Sequence, residues 1–225
     1  MNPVKKLPET KKPDGRAAKA QLTRARILDA AGELFVRNGY GATSLQDIAD
    51  QAEVAVQTIY YGFGNKQSVL KEVVDRTIAG DDEPVATLDR PWFQQALATD
   101  SAAAHLEAHL EGTREVLDRV APIMKMVEAA AATDTGIAKL WPDEQNPRLT
   151  VQTAAAKSLL SKPGANPGIT VEHAADVLFG LLSPELYLLF VSERGWTPQQ
   201  WQAWTYETLH AQLCAPQTGS PLAGG

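Results

Sequence analysis

The chain has 225 residues, is 44% hydrophobic and carries a net charge of −6, enough to bury a substantial core in one or two domains. The single cysteine, Cys214, has no partner for an intrachain disulfide or a zinc-type ligand set. The most apolar run, Val177 to Val191, contains Ser183, Pro184 and Glu185 and predicts no membrane span. The N-terminal lysines precede no apolar segment of a secretory signal, so a cytoplasmic protein is expected.

Charge is distributed unevenly. Up to Arg26, eight basic residues against two acidic ones give +6, which leaves −12 for the rest of a chain that totals −6. A basic arm on an acidic body fits a phosphate-facing end, although a solvated tail has the same composition. Residues 1–20 read as a disordered basic arm in which Lys11, Lys12 and Arg16 are candidates for meeting phosphate.

Helical periodicity begins after the arm. Ile27, Ala30, Ala31, Leu34 and Phe35 form an amphipathic stripe that Asn38-Gly39 ends. Thr43 and Ser44 offer an N-cap, and Ser44 with Asp47 has the form of a capping box opening a second helix over Leu45, Ile48, Ala49 and Ala52. The chain turns at Glu53-Val54, and a third short helix runs from about Ala55 to Tyr61 before Gly62-Phe63-Gly64. Asn65 caps a fourth helix with Val69, Leu70, Val73 and Val74 on its apolar face. Two short helices joined by a tight turn and braced by longer ones suit a helix-turn-helix, and also a small bundle of no special purpose.

Past the acidic break Asp81 to Pro84, helices are predicted at about 91–99, 101–119, 121–132, 148–161, 170–194 and 198–214, with loops at Pro142–Pro147 and Lys162–Gly168. No convincing strand pattern occurs, so the class is all-α. The domain boundaries expected are 21–78 for the helix-turn-helix, 79–215 for a larger helical bundle and 216–225 for a disordered tail. His105 and His109 share a helical face, but with Glu107 and Glu111 beside them the face reads as solvated rather than as half a metal site.

The run Arg26 to Tyr40, followed by Thr43-Ser44-Leu45-Gln46-Asp47-Ile48-Ala49 and by Val54 to Lys66, resembles the DNA-binding domain of tetracycline-repressor (TetR) family regulators over roughly residues 22–75. The resemblance implies a non-enzymatic, sequence-specific transcriptional regulator. It implies a homodimeric repressor, released from a palindromic operator in double-stranded DNA when a small molecule binds the C-terminal domain. An effector-independent regulator or activator, or a small-molecule-binding protein or enzyme with a vestigial helix-turn-helix, are the alternatives. No cofactor and no metal are implied.

On the recognition helix, Gln57 and Thr58 become the candidates for base edges, because an amide can bond adenine bidentately and threonine can pack a thymine methyl, and Val56 is a further candidate for DNA binding. Tyr60, Tyr61, Lys66 and Thr43 become candidates for phosphate, and Ser44 is a further candidate for DNA binding. Phe35 and Phe63 are assigned to the core. The family usually has glycine where this chain has Glu53 and often serine at Ala55. A left-handed residue there would cost roughly 1 kcal/mol, and a lost cap about 0.5–2 kcal/mol. By the same resemblance, the last two helices supply the dimer interface through Leu178, Leu181, Leu182, Leu189, Trp201, Trp204 and Leu209. Trp92, Phe93, Met124, Met126, Trp141, Phe179 and Tyr187 are the candidates for an effector pocket.

Overall fold

The computed structural model describes residues 15–81, 83, 85–140 and 146–215. Lys11, Lys12 and Trp141 therefore lie outside the described residues. Among those described, the chain is helical, and its extended pairing is one bridge between Ala165 and Cys214.

Helix α1 spans Gly15–Asn38 and starts six residues before the predicted domain boundary, so the last part of the basic arm, with Arg16 and Lys19, is helical. Good helix formers at Arg16, Ala17, Ala18, Lys19 and Ala20 explain the extension. Gly39, with φ 83°, returns its amide to the Phe35 carbonyl and stops the helix. Helices α2 (Leu45–Gln51), α3 (Val56–Phe63) and α4 (Lys66–Ala79) close a compact core on α1, built from Ile27, Ala31, Phe35, Ile48, Ile59, Leu70 and Val73. Phe35 and Phe63 are both buried, as expected.

The second domain is organised around one long helix. After a short 3-10 turn (Thr87–Asp89), α5 covers Pro91–Leu97 and α6 covers Ala102–Ala131. The break predicted near residue 120 is absent: Pro122 lies inside α6, where it withholds one amide from the ladder without ending the helix. Helix α7 (Thr135–Ala138) folds back toward α4, and α8 (Pro147–Leu160) packs on α9 (Val171–Leu181). The single helix predicted over 170–194 is interrupted at Leu182-Ser183, where Ser183 caps α10 (Pro184–Leu188), which continues as a π-turn over Leu189–Glu193. Helix α11 (Pro198–Leu213) opens with the predicted Thr197–Gln200 capping box.

Two expectations are revised by this packing. Leu178, Leu182, Trp201 and Leu209 are buried in the protomer's own core, because α9 and α11 both close on other helices of the bundle. Leu181 and Trp204 are half-buried and Leu189 is 43% exposed, so only those three of the seven residues named for a protomer contact retain available surface. The stretch Val171–Glu193 also exceeds the expectation from Val177–Val191. It is long and apolar enough to cross a membrane by length and composition, and its most apolar 18-residue window has a mean hydropathy of 1.6 with 33% of that window buried.

Candidate nucleic-acid interface

The outward face of the N-terminal domain is created by its caps. Ser44 accepts from the Asp47 amide, and its own amide and hydroxyl both donate to the Asp47 carboxylate at 2.8 and 2.7 Å. Those Ser44 donors hold the Asp47 carboxyl below its ordinary range. Ser44, although exposed, is thus engaged in setting the entry of α2 and has no spare donor for phosphate.

Between α2 and α3 the chain reverses at Glu53, whose φ of 52° places it in the left-handed region. The Val54 amide closes the turn on the Ala49 carbonyl at 3.0 Å. The glutamate therefore carries the strain that a glycine would avoid. Ala55 occupies the N-cap of α3 and offers no side-chain hydrogen bond, as its methyl group dictates.

Helix α3 is anchored by Ile59 and Phe63 on one side and presents Gln57, Thr58, Tyr60 and Tyr61 on the other. Tyr61 is 95% exposed and Tyr60 is 56% exposed. Large aromatic side chains held out to solvent on a rigid two-turn helix are poorly explained by stability and well placed for a groove and its flanking phosphates. Val56 is half-buried against the core and supports the helix more than it projects from it.

Two candidates take different roles from those implied. Thr43 is only 1% exposed, and its hydroxyl donates to the Gly39 carbonyl at 2.9 Å, so it locks the α1–α2 turn and cannot reach phosphate. Lys66 donates to the carbonyls of Tyr40 and Thr43, each at 2.9 Å, with its ammonium 4.2 Å from the Tyr40 ring centroid. Burial pushes Lys66 below its usual value, while Asp134 of α7 opposes that shift. Its first duty is to tie α4 to the α1–α2 corner.

One positioning residue escaped the sequence reading. Arg24 in α1 pairs with Glu72 of α4, donates to the Gly62 carbonyl at the end of α3 and lies 4.3 Å from the Phe63 ring centroid. It clamps the far end of α3, and its signal was hidden because α1 was read from Ile27 onward. Arg16, Lys19 and Arg26 are exposed along the same helix.

The aromatic and methionine residues named for an effector pocket do not meet in one cavity. Trp92 and Phe93 pack round His109, Phe179 lies beneath the Arg148 guanidinium, and Tyr187 stacks edge-on against Trp201 while its hydroxyl donates to Asp118. Burial, then Asp118, raises the Tyr187 phenol. Met124 is half-buried against the core. Met126 lines a cleft of about 560 Å³ between the domains, shared with Val36, Tyr40, Pro122 and Leu188.

His105 and His109 are corrected outright. Both are buried, 0% and 1% exposed, with their rings stacked at 6.1 Å. Their face of α6 also carries Ala102, Leu106, Leu110 and Thr113, all buried. His105 Nδ1 meets the Ala96 carbonyl at 2.8 Å, and His109 Nε2 meets Gln152 Oε1 at 2.9 Å. No group of three metal-ligating side chains occurs among the described residues.

A capped pair of short helices, with the second projecting polar and aromatic side chains from a buried apolar anchor, defines the helix-turn-helix class of DNA-binding fold. Residues 27–73, the helix-turn-helix segment, match the family model described as bacterial regulatory proteins, tetR family. The chain is 27% identical over 100 residues to the HTH-type transcriptional regulator YfiR of Bacillus subtilis, covering 44% of this chain and 47% of that protein. It is 32% identical over 76 residues to the HTH-type transcriptional regulator UidR of Escherichia coli, covering 32% and 39%. The chain thus matches less than half the length of these relatives. Among solved structures, the transcriptional regulator FadR of Bacillus subtilis in complex with stearoyl-CoA superimposes with a TM-score of 0.66 at 18% identity, covering 82% of this chain and 96% of that one. At that identity the likeness establishes the fold.

Proposed function

We propose that the protein is a transcriptional repressor that binds a palindromic operator as a homodimer and releases it when a small molecule occupies the C-terminal domain. The observation that carries this reading is α3 itself: Ile59 and Phe63 fix it to the core while Gln57, Thr58, Tyr60 and Tyr61 stand clear. Gln57 and Thr58 read base edges, and Tyr60 and Tyr61 hold phosphates. Arg16, and Lys11 and Lys12 before it, add backbone affinity without sequence preference. A cytoplasmic location goes with this role.

Dimerisation is supported by the apolar stretch Val171–Glu193, which leaves Leu181 half-buried and Leu189 43% exposed in the protomer. Leu181, Leu189 and Trp204 supply the contact surface, and pairing would set two α3 helices about 34–36 Å apart, one turn of DNA. Small-molecule control is supported by the larger helical domain, by its packing of α6 directly on α4, and by the fold shared with a regulator solved with stearoyl-CoA. A ligand that favours one spacing of the heads weakens operator binding by its differential affinity for the two states.

A gel-shift titration of the full chain against the intergenic DNA beside its own gene tests the reading. A sequence-preferring complex whose affinity falls steeply with salt is the expected result. A complex equally strong on unrelated DNA, or none at low salt, would overturn it.

A further inference from the structure

We propose that the slot between α5 and α6 that the Trp92 indole fills is a recognition site for an uncharged, planar aromatic molecule bearing a hydroxyl. His109 Nδ1 is its hydrogen-bond acceptor, and Trp92 swings out to admit it. The proposal deepens the ligand-responsive reading and rests on the C-terminal domain taking a small molecule.

The first observation is a buried polar atom without a partner. His109 is 1% exposed, and its Nδ1 makes no hydrogen bond. A buried polar group left unpaired is costly, and native cores contain few. On a ring that lies 5.9 Å from the Trp92 indole, it points to a guest that supplies the missing partner.

The chemistry of that guest follows from the atoms. The His109 Nε2 proton is donated to the Gln152 oxygen, and so Nδ1 carries a bare lone pair. Burial lowers the imidazole to about 4, which keeps it neutral. A neutral imidazole acceptor asks for a hydroxyl or N–H donor. Lys162, the cation that acts on His105, already donates to the Leu97 and Thr99 carbonyls, so a charged guest would find no free counter-charge and is disfavoured.

The shape follows from Gly112. A β-carbon there would lie 2.1 Å from Trp92 Cε3 and 2.6 Å from Cδ2, so the bare backbone of α6 forms the flat floor under the indole. Glycine inside a helix is less favourable than alanine, and the return is a surface that accepts an aromatic face. His109 lies beside that ring at 5.9 Å, and the Phe93 ring stands edge-on to His109 at 5.8 Å. Trp92 is half-buried on the seven-residue α5, whereas Phe93 and Ala96 anchor that helix in the core. The indole can therefore leave while α5 stays in place.

Equilibrium dialysis of the full-length protein with β-naphthol, naphthalene and β-naphthoate tests the site. β-Naphthol is expected to bind roughly tenfold tighter than naphthalene, the equivalent of one hydrogen bond of about 1.4 kcal/mol, and β-naphthoate more weakly than β-naphthol. Trp92→Ala, a half-exposed substitution, should tighten β-naphthol binding severalfold because the slot is already vacant, and His109→Phe should erase the preference for the hydroxyl. Failure of β-naphthol to bind Trp92→Ala, or equal affinity for β-naphthol and naphthalene, overturns the site whether or not His109→Phe folds. A protein that binds operator DNA but none of the probes loses the slot and keeps its regulatory role. One that binds β-naphthol as described without loosening from DNA keeps the slot, and release by a ligand at this site is what fails.

Discussion

Lys66 and Tyr40 are bound to each other twice: the ammonium donates to the Tyr40 carbonyl at 2.9 Å and sits 4.2 Å from the centroid of the Tyr40 ring. With the Thr43 carbonyl also engaged, this side chain closes the corner where α4 meets the end of α1. Lys66→Met should therefore destabilise the protein by about 1–3 kcal/mol, read by denaturant unfolding. The slope of operator affinity against salt should hardly change. A stable variant with a slope reduced by about one unit would restore Lys66 as a phosphate contact.

Glu53 at φ 52° is the one non-glycine residue with a positive φ among those described. Glu53→Gly relieves the strain and should stabilise the fold by roughly 1 kcal/mol, after allowance for the greater freedom of glycine in the unfolded chain. Thermal unfolding measures it. A loss of stability would mean that the carboxylate contributes more than its backbone costs.

On the recognition helix, Gln57→Ala should cost about 1–3 kcal/mol on the operator and little on unrelated DNA. Tyr61→Phe should weaken both by similar factors, since a hydroxyl on phosphate carries no sequence information. Parallel titrations on the two DNAs separate the cases. Identical effects of both substitutions on both DNAs would remove Gln57 from base readout.

Stability should fall as pH drops from about 6.5 toward about 4. The His109 imidazole is lowered from 6.5 to about 4 by burial, so in that window the unfolded chain binds the proton and the folded one does not. The full shift corresponds to a loss on the order of 3 kcal/mol. The groups round His109 are His105, itself lowered by burial, with neutral Gln152, Trp92 and Phe93. Asp47 and Asp81, held below their ordinary 3.8 by hydrogen bonds, release their contributions only at still lower pH. Melting temperatures of the wild type and His109→Gln across this range check the assignment. An equal decline in both would place the proton elsewhere.

If Leu189 belongs to a protomer contact, Leu189→Lys should shift the protein toward monomer in sedimentation experiments without disturbing its helicity, because the side chain is 43% exposed in the protomer. An unchanged dimer would move the contact elsewhere on the surface.

The helix-turn-helix was legible because local chemistry determines it: Ser44–Asp47, Asn65 and the glycines at 39 and 64 each act within four residues. The inward partners of Thr43 and Lys66 were not legible, because the Leu34 and Tyr40 carbonyls are reached only after the chain has turned. His105 and His109 were judged by Glu107 and Glu111, which belong to the other side of the helix. The stripe Ala102, Leu106, Leu110 and Thr113 held the correct answer. For Leu178, Leu182, Trp201 and Leu209, apolar periodicity shows that a face is covered but is silent on whether the cover comes from the same chain.

Pro122 gives α6 a fulcrum. The proline has no amide proton to offer the carbonyl of Asp118, so the rod is softest where the histidine-bearing half ends and the half lining the interdomain cleft begins. From that point to Ala131 is about 14 Å of helix, and a change in bend of roughly 10° would carry its tip by about 2.4 Å. The tip leads into α7, where Asp134 acts on both Lys66 and Tyr40. A small angular change within α6 thus becomes a displacement beside the Lys66–Tyr40 corner of the N-terminal domain.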